Sequence, residues 1–242
     1  RILKHLIEMK GKFVSGESLS ESLGITRTAV WKHIQRLREE GYEILSVSKR
    51  GYRLDTSPEL FDRSTLITGL HTEVFGNNLI FLEETDSTNN ELKRLAAGGA
   101  PEGTVVIAER QLAGRGRRGR SWEMGAGKGI TMSILLRPDM APASIQAITL
   151  AASCAVARAI EPCTSTKPGI KWPNDVLVSG KKVCGILTEM TAEPDRILSV
   201  IVGIGLNVLQ QQEDFAAALQ ETATSVAMNS AGPVSRSALA SR

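Results

Sequence analysis

A short segment that combines arginine with glycine places the strongest constraint on this chain. Residues 114–120 contain four arginines and three glycines, between two apolar, strand-like runs at 104–108 and 130–136. Arginine presents a planar fork of donors that matches phosphate oxygens, and glycine lets the backbone approach a ligand closely. The segment predicts a loop that closes over a polyanion and becomes ordered as it does so. A solvated basic loop, or a patch that binds nucleic acid nonspecifically, explains this segment alone equally well.

The composition narrows the class of protein. A chain of 242 residues is long enough for one large domain or two smaller ones. No apolar run approaches the length that spans a bilayer, and the first residues do not resemble a signal peptide. The three cysteines, Cys154, Cys163 and Cys184, have no metal-ligand spacing and cannot all pair, and the three histidines form no cluster. We therefore expect a cytoplasmic protein with no membrane partner and no zinc chemistry.

The net charge of +3 is unevenly distributed along the chain. Residues 1–58 carry 11 Lys and Arg against 7 Asp and Glu, whereas the remainder carries 18 against 19. A small basic unit before a nearly neutral larger one confines nucleic-acid contact to the first part. We predict a DNA-binding domain at 1–57, a linker at 58–65 and a larger domain at 66–242. Because the chain lacks an initiator Met and its last residues resemble a shortened helix, we expect a portion of a longer protein.

Helical patterns near the amino terminus predict a winged helix-turn-helix. A short helix ends at Gly24, and Thr26 caps the next helix, which buries Val30 and Ile34. Residues 42–54 then predict a two-stranded hairpin, the wing. The candidate DNA contacts are the exposed side chains of the second of these helices and the basic tip of the wing: Arg27, Thr28, Trp31, Lys32, Gln35, Lys49 and Arg50. A helical protein-interaction domain with a solvated basic face is the alternative.

Several polar and aromatic residues of the larger unit have two possible roles. Ser87, Thr88 and Asn89 either cap a helix that begins near Asn89 or offer hydrogen bonds to a polar ligand group, and both can hold. Lys182 enters a buried strand, so its ammonium needs an anionic partner unless it stays in solvent at a hairpin tip. Trp122 is either part of the core or an aromatic face for a purine ring.

Two glycines interrupt the long strand-like run at 197–208. Gly203 and Gly205 weaken a strand interior, which often marks the close approach of a ligand or of another backbone. Asn207 at the end of the run is placed to reach phosphate oxygens. The run lacks the third glycine and the following helix of a dinucleotide-binding fingerprint, so it does not indicate a Rossmann domain.

In this order, the motifs resemble the family of bifunctional biotin protein ligases and biotin operon repressors along essentially the whole chain. The resemblance rests on residues 87–89, Gln111 with 114–120, 171–175, Lys182 with Gly185, and 203–207. It implies an α+β fold, with an N-terminal winged helix-turn-helix and a catalytic domain whose mixed sheet is like that of class II synthetases. Family members also carry a C-terminal SH3-like domain, which we expect to be absent from this chain.

The resemblance implies an ATP-dependent ligase. In the family, biotin and Mg-ATP give biotinyl-5′-AMP and pyrophosphate, and a lysine of the biotin carboxyl carrier protein, a subunit of acetyl-CoA carboxylase, then accepts biotin. The adenylate is also the corepressor: it favours a homodimer that binds operator DNA and represses the biotin operon. Such chemistry requires positioning, charge neutralisation and exclusion of water rather than a protein nucleophile.

The resemblance also assigns roles to residues. Lys182 and Arg117 are the candidate catalytic residues, because they bridge the carboxylate and the α-phosphate. The residues assigned to biotin are Ser87, Thr88, Asn89, Gln111, Arg115, Gly116, Arg117, Lys182, Gly185, Gly203 and Gly205. Those assigned to ATP or the adenylate are Arg117, Arg118, Arg120, Trp122, Asn174 and Asn207. Asp175 and Asn207 are the candidate Mg²⁺ ligands.

Three other functions stay open from the sequence alone. A lipoate protein ligase has a related catalytic domain, although the full arginine–glycine loop and the winged helix favour biotin. A ligand-sensing repressor would carry the same domains without ligase activity. A nucleic-acid-binding protein would use the arginine loop as a second contact.

Overall fold

The computed structural model describes residues 2, 5–6, 9, 12–39, 42–47, 50–56 and 61–242. The chain divides into two units between Leu60 and Phe61. The first contains α1 (Gly16–Leu23), α2 (Arg27–Glu39) and an antiparallel pair, β1 (Glu43–Val47) with β2 (Gly51–Thr56). A helix-turn-helix followed by a two-stranded hairpin is therefore present, as the sequence predicts.

Small polar residues and a glycine set the turn between α1 and α2. The Ser15 hydroxyl accepts a hydrogen bond from the Ser18 amide at 3.0 Å, which caps α1. Gly24 takes a left-handed conformation with φ 64° and ends that helix. The Thr26 hydroxyl accepts from the Ala29 amide at 3.2 Å and caps α2. The sequence therefore determines this turn locally.

The hairpin of the first unit depends on a glycine. Val14 and Tyr52 exchange two backbone hydrogen bonds, each 2.8 Å long, so residue 14 pairs with β2. Gly51 at the start of β2 has φ 96°, and a Cβ at this position would lie 2.0 Å from the Val14 carbonyl oxygen. Only a residue without a side chain allows the two backbones to approach so closely.

The second unit begins earlier than the sequence predicts. Phe61 is buried, and α3 (Arg63–Gly69), capped by Asp62, buries Leu66. These residues fall in the stretch 58–65 predicted as a linker and at the predicted start of the larger domain at 66. Their apolar side chains pack into the core of the second unit, which local composition did not indicate.

A seven-stranded mixed sheet forms the centre of the second unit. Its strands are β3 (Leu79–Thr85), β4 (Val105–Gln111), β5 (Gly129–Leu136), β6 (Gly169–Lys171), β7 (Asp175–Val178), β8 (Lys181–Ala192) and β9 (Ile197–Asn207). The order across the sheet is β3-β4-β5-β9-β8-β7-β6, in which β3 and β4 are parallel and the other neighbours antiparallel. The prediction of an α+β fold with a mixed sheet is confirmed.

Helices cover both faces of this sheet. On one face α4 (Thr88–Ala97) places Leu92 in a buried cluster with Val106 and Leu135. On the other face α5 (Ile145–Ile160) contributes Val156 and Ile160 to the main core. The remaining elements are α6 (Arg236–Ala240) and the short 3-10 turns Arg117–Gly119, Pro142–Ser144, Glu161–Cys163, Gln212–Asp214, Ala217–Leu219 and Ala227–Asn229.

The segment Pro142–Cys163, which contains α5, has the length and composition of a membrane-spanning helix, with a mean hydropathy of 1.5. This finding corrects the expectation that no apolar run approaches that length. Within the segment, Ser153, Val156 and Ile160 are buried, and Thr149 Oγ1 lies 2.8 Å from Thr188 Oγ1 on β8. One stripe of the helix therefore packs on the sheet, while most of its length is not buried.

We predict that Gly51→Ala destabilises the first unit more than Gly24→Ala. Both glycines have positive φ, but a Cβ at Gly24 would meet nothing within 4 Å. The left-handed conformation alone costs alanine about 1–2 kcal/mol, and overpacking at Gly51 raises the total to about 3 kcal/mol or more. Urea denaturation measures both losses; equal losses would contradict the close approach of Gly51 to Val14.

Candidate functional site

Many of the polar residues singled out in the second unit converge on one cleft beside β4, β8, β9 and the N-terminus of α4. The cleft has a volume of about 50 Å³. The residues lining it are Ser87, Thr88, Asn89, Gln111, Arg115, Gly116, Arg117, Trp122, Asn174, Lys182, Gly185, Ile186, Leu187, Gly203, Ile204 and Gly205. This set contains every residue that the sequence assigns to biotin.

The N-terminus of α4 is fixed by Gln111 rather than by its own cap residue. The Gln111 side-chain oxygen accepts hydrogen bonds from the Thr88 amide at 2.8 Å and from Thr88 Oγ1 at 3.1 Å. Ser87 occupies the N-cap position without a capping bond from its side chain. Of the two roles that the sequence leaves open for Ser87, its side chain does not take the capping role, because Gln111 on β4 binds the amide of Thr88 and Ser87 lines the cleft.

The glycines of β9 form the floor of the cleft. A Cβ at Gly203 would lie 2.2 Å from Asn89 Oδ1, and one at Gly205 would lie 2.3 Å from the Trp122 ring. Because side chains alternate along a strand, both glycines face α4, while Ile204 between them belongs to the main core on the other face. The groups that approach the two glycines closely are therefore the protein's own side chains, Asn89 and Trp122.

Trp122 fills much of the cleft. Its ring packs against Gly205 and Gly185, and Lys182 Nζ lies 5.5 Å from its centroid. The indole N–H is buried and has no hydrogen-bond partner within the part of the chain that the structure describes. The sequence places Trp122 near adenine, whereas the structure places its ring on glycines assigned to biotin. The role of Trp122 toward the nucleotide stays a prediction.

The arginine–glycine loop folds back on itself beside the cleft. The Gly116 amide donates to the Arg120 carbonyl at 2.7 Å, and the Trp122 amide donates to the Gly114 carbonyl at 2.9 Å. The arginines of this loop are not equivalent. All four are exposed, but Arg115 and Arg117 line the cleft whereas Arg118 and Arg120 are not among its lining residues. The structure therefore does not bring Arg118 and Arg120 into the cleft.

Each cation that lines the cleft contacts an oxygen of the protein. Arg117 donates to Asn174 Oδ1 at 2.8 Å, and Arg115 donates to Asn90 Oδ1 at 2.6 Å. Lys182 Nζ lies 2.7 Å from Asp175 Oδ1. The anionic partner that Lys182 requires is thus a carboxylate of the neighbouring strand, β7.

Neither candidate metal ligand is among the residues that line the cleft. Asp175 is paired with Lys182. The Asn207 amide donates to the Thr224 carbonyl at 3.1 Å and accepts from Gln210 Nε2 at 3.4 Å. The roles of Asp175 toward the metal and of Asn207 toward nucleotide and metal stay predictions. In the described part of the chain, no group of three or more His, Cys, Asp or Glu is placed to hold a metal ion.

Glu189 contacts several residues of one side of the cleft, and its role was not predicted from the sequence. Its carboxylate accepts hydrogen bonds from Lys93 Nζ and Asn89 Nδ2, both at 2.7 Å. Burial raises the pKa of Glu189, but these hydrogen bonds outweigh burial, so the pKa lies below its ordinary value. Alternation along β8 was an available signal, since Glu189 shares a strand face with Gly185.

Three other polar residues were also missed: Asn90, Lys93 and Ser133. The Ser133 hydroxyl lies 2.6 Å from Asn89 Oδ1 and 2.8 Å from Thr88 Oγ1. The pairing of β5 with β9 sets Ser133 opposite Gly203. No local pattern marks this serine, because only the register of the sheet brings it to the cleft.

Five of the seven candidate DNA contacts of the first unit lie on one helix, α2. Arg27, Thr28, Trp31 and Lys32 are exposed on α2 and Gln35 is half-buried, and Trp31 is 52% exposed. On the hairpin, the Arg50 guanidinium lies 4.3 Å from the centroid of the Phe13 ring. Lys49 lies outside the described residues. The exposed face of α2 presents positive and aromatic groups together.

Residues 81–207 match the biotin/lipoate A/B protein ligase family, and residues 1–53 match a helix-turn-helix domain. The chain belongs to this ligase family. The bifunctional ligase/repressor BirA of Bacillus spizizenii is 47% identical over 237 residues, 96% of this chain and 73% of the relative. The same protein of Escherichia coli is 34% identical over 202 residues, 84% of this chain and 61% of the relative.

Solved structures of the ligase family are also similar to this chain. The biotin protein ligase from Aquifex aeolicus in complex with biotin and ATP is 34% identical, covers 67% of this chain and 65% of that chain, and gives a TM-score of 0.57. Together with the ligase/repressor relatives, this match confirms the resemblance drawn from the motifs. The enzyme class of the chain is that of a biotin–protein ligase that carries a DNA-binding domain.

We predict that Gly203→Ala disrupts the cleft while Gly169→Ala does not. A methyl group at Gly203 must displace the amide of Asn89 from Ser133 and Glu189, at a cost of about 1–3 kcal/mol. Gly169 lies in the edge strand β6 and has nothing within 4 Å of a Cβ, so it is the matched control. Chemical denaturation measures both; equally small losses would show that Asn89 moves aside without cost.

Proposed function

We propose that this chain uses ATP to convert biotin to biotinyl-5′-AMP and then transfers biotin to a lysine of a biotin carboxyl carrier protein. The observation that carries the proposal is the cleft, in which Lys182 and Arg117 meet a polar wall and a glycine floor. Membership of the ligase family supports it, as does the Aquifex aeolicus relative solved with biotin and ATP.

The first step joins two anions. An oxygen of the biotin carboxylate attacks the α-phosphorus of Mg-ATP, the bond from that phosphorus to the bridging oxygen breaks, and pyrophosphate leaves. Lys182 and Arg117 lower the repulsion between the anions because their charges already lie in the cleft. Before substrate binds, Asp175 and Asn174 hold these two cations beside the cleft.

The second step needs no protein nucleophile. The amine of the acceptor lysine attacks the carbonyl carbon of the mixed anhydride and loses a proton, and AMP leaves with the electrons of the broken carbon–oxygen bond. Cys184 on β8 does not compete as a nucleophile, since it is fully buried and burial raises the pKa of its thiol far above the ordinary value.

The ureido head of biotin would contact Ser87, Thr88 and Gln111. Since the Gln111 oxygen already binds Thr88, the Gln111 amide nitrogen is the donor for the ureido carbonyl. The cleft volume of about 50 Å³ is below the range of about 300–1,000 Å³ usual for small-molecule sites. Biotin therefore enters only when the Trp122 ring moves away from Gly205.

Magnesium would enter with its nucleotide as Mg-ATP. Asp175 is the carboxylate nearest to the candidate catalytic residues, at 2.7 Å from Lys182, and Mg²⁺ is commonly held by one or two carboxylates together with substrate phosphates. Coordination by Asp175 requires its ion pair with Lys182 to open. Lys182 would then turn toward the substrate anions.

The first unit supports a second role, repression of the biotin operon. The exposed face of α2 carries Arg27, Trp31 and Lys32, which suit phosphates and base edges in a major groove. In this proposal biotinyl-5′-AMP is the corepressor and favours a homodimer, which presents two helix-turn-helix units to operator DNA. The adenylate can favour the dimer only through contacts that differ between the two states.

We predict that Lys182→Ala lowers the rate of adenylate formation about 10²–10³-fold, the usual effect of removing one charge-stabilising donor. Lys181→Ala is the matched control, because Lys181 is the adjacent residue of the same strand and does not line the cleft. The measurement is mass spectrometry of biotinyl-5′-AMP retained by each variant after incubation with Mg-ATP and biotin, with lipoate in parallel.

The same experiment separates the alternatives. Adenylation of lipoate in preference to biotin would identify a lipoate ligase. If the unmodified chain adenylates neither acid but binds biotin, it acts as a ligand-sensing repressor and the ligase proposal fails. Equal losses in Lys181→Ala and Lys182→Ala would remove Lys182 from its catalytic role.

We predict that Lys32→Ala weakens binding to duplex DNA of random sequence and lowers the slope of log K against log salt by about 0.9, the value for one lost phosphate contact. Arg196→Ala, an exposed arginine of the second unit, should leave binding unchanged. Fluorescence anisotropy from low to moderate salt measures both. A lower slope in Arg118→Ala but not in Lys32→Ala would favour the arginine loop as the nucleic-acid contact.

A further inference from the structure

Glu189 lies at the centre of a polar cluster that the proposed chemistry does not use. We call Glu189, Lys93, Asn89, Asn90 and Arg115 the Glu189 cluster. Besides its bonds to Lys93 and Asn89, the Glu189 carboxylate accepts from Arg115 at 3.3 Å through both oxygens. The side chain of Glu189 is 21% exposed, and it does not line the cleft.

Two of its partners do line the cleft, and they belong to different parts of it. Asn89 forms the floor against Gly203, and Arg115 begins the arginine–glycine loop. A single carboxylate on β8 therefore contacts both the floor and the loop. Lys93, its third partner, is 41% exposed and is not among the lining residues.

We propose that Glu189 is a positioning residue for the ligase reaction, which orients Asn89 and anchors the arginine–glycine loop through Arg115. The inference rests on the proposed function, since the reaction it serves is the activation of biotin. Glu189 touches neither substrate in this account and acts only through its two partners.

The first effect concerns the amide of Asn89. An ionised carboxylate only accepts hydrogen bonds, so Glu189 binds the NH₂ group of Asn89 and turns the amide oxygen toward Ser133. That oxygen lies 2.6 Å from Ser133 Oγ. The Leu187 carbonyl also accepts from this NH₂ group, at 3.4 Å. An uncharged amide in place of Glu189 can both donate and accept, so only that longer bond would then fix which way Asn89 points.

The second effect concerns the loop. Glycines at 114, 116 and 119 raise the entropy cost of ordering residues 114–120. Arg115 attaches the start of this loop to Asn90 on α4 and Glu189 on β8, and Arg117 attaches the next part to Asn174 before β7. The two anchors hold the loop across the cleft. The loop therefore loses less conformational entropy when Arg117 binds the substrate anions.

The test compares Glu189→Gln, Arg115→Ala and the double variant with the unmodified chain. Glu193→Gln is the control, because it removes the charge of an exposed carboxylate near the end of the same strand. Two quantities are measured: the rate of tryptic cleavage after Arg117, Arg118 and Arg120 without added ligand, and the Kd for biotin by calorimetry. The first needs no ligase activity.

We expect Glu189→Gln to speed cleavage of the loop about fivefold and to raise the biotin Kd about tenfold, with Glu193→Gln unchanged. Arg115→Ala should shift both quantities in the same direction, and the double variant should show less than the product of the two single effects, because each single change already breaks the Glu189–Arg115 contact. Arg115 is 43% exposed, so its replacement tests the contact even if Glu189→Gln folds poorly.

Unchanged cleavage and unchanged Kd in both single variants would overturn the proposal, as would effects that simply multiply in the double variant. If the unmodified chain binds no biotin, the proposed function fails. Loop cleavage then still decides whether Glu189 anchors the loop, so the two failures are distinguishable.

Discussion

The cleft depends on the absence of side chains at two positions of β9. With glycine at 203 and 205, Asn89 and Trp122 pack directly on the backbone of the sheet. Glycine in a strand interior costs about 0.5–1 kcal/mol relative to alanine. β9 bears this cost because it pairs with both β5 and β8 and buries nearly every residue along its length. β9 tolerates glycine because it is buried and paired on both sides, and it is this strand that forms the floor of the cleft.

Charge placement follows from the same packing. Lys93, Arg115, Arg117 and Lys182 lie in or beside the cleft, where Asp175 and Glu189 are the carboxylates that contact them. Four cations therefore meet two carboxylates, which leaves an excess of positive charge for anions to neutralise. Each cation is nevertheless held by an oxygen, so the field of the site is fixed before a substrate arrives. A carboxylate and a nucleotide phosphate together suit this excess.

Local chemistry explains which features the sequence predicts correctly. Gly24 ends a helix and Thr26 begins one through contacts within five residues. The glycines at 203 and 205 weaken a strand interior, so their presence in the sequence indicates that another group approaches the strand closely at these positions. Long-range contacts explain what the sequence does not predict. Arg115 and Glu189 are 74 positions apart, and Thr224 takes the Asn207 amide from 17 positions away. Phe61 likewise belongs to the second unit rather than to the predicted linker, because it packs into a core formed by residues distant in sequence.

Trp122 connects the floor of the cleft to the loop. Its amide pairs with Gly114 at the base of the arginine–glycine loop, while its ring lies on Gly205. Among the described residues, the buried indole N–H has no hydrogen-bond partner. One residue thus ties the backbone of the loop that carries Arg115 and Arg117 to the floor of the cleft.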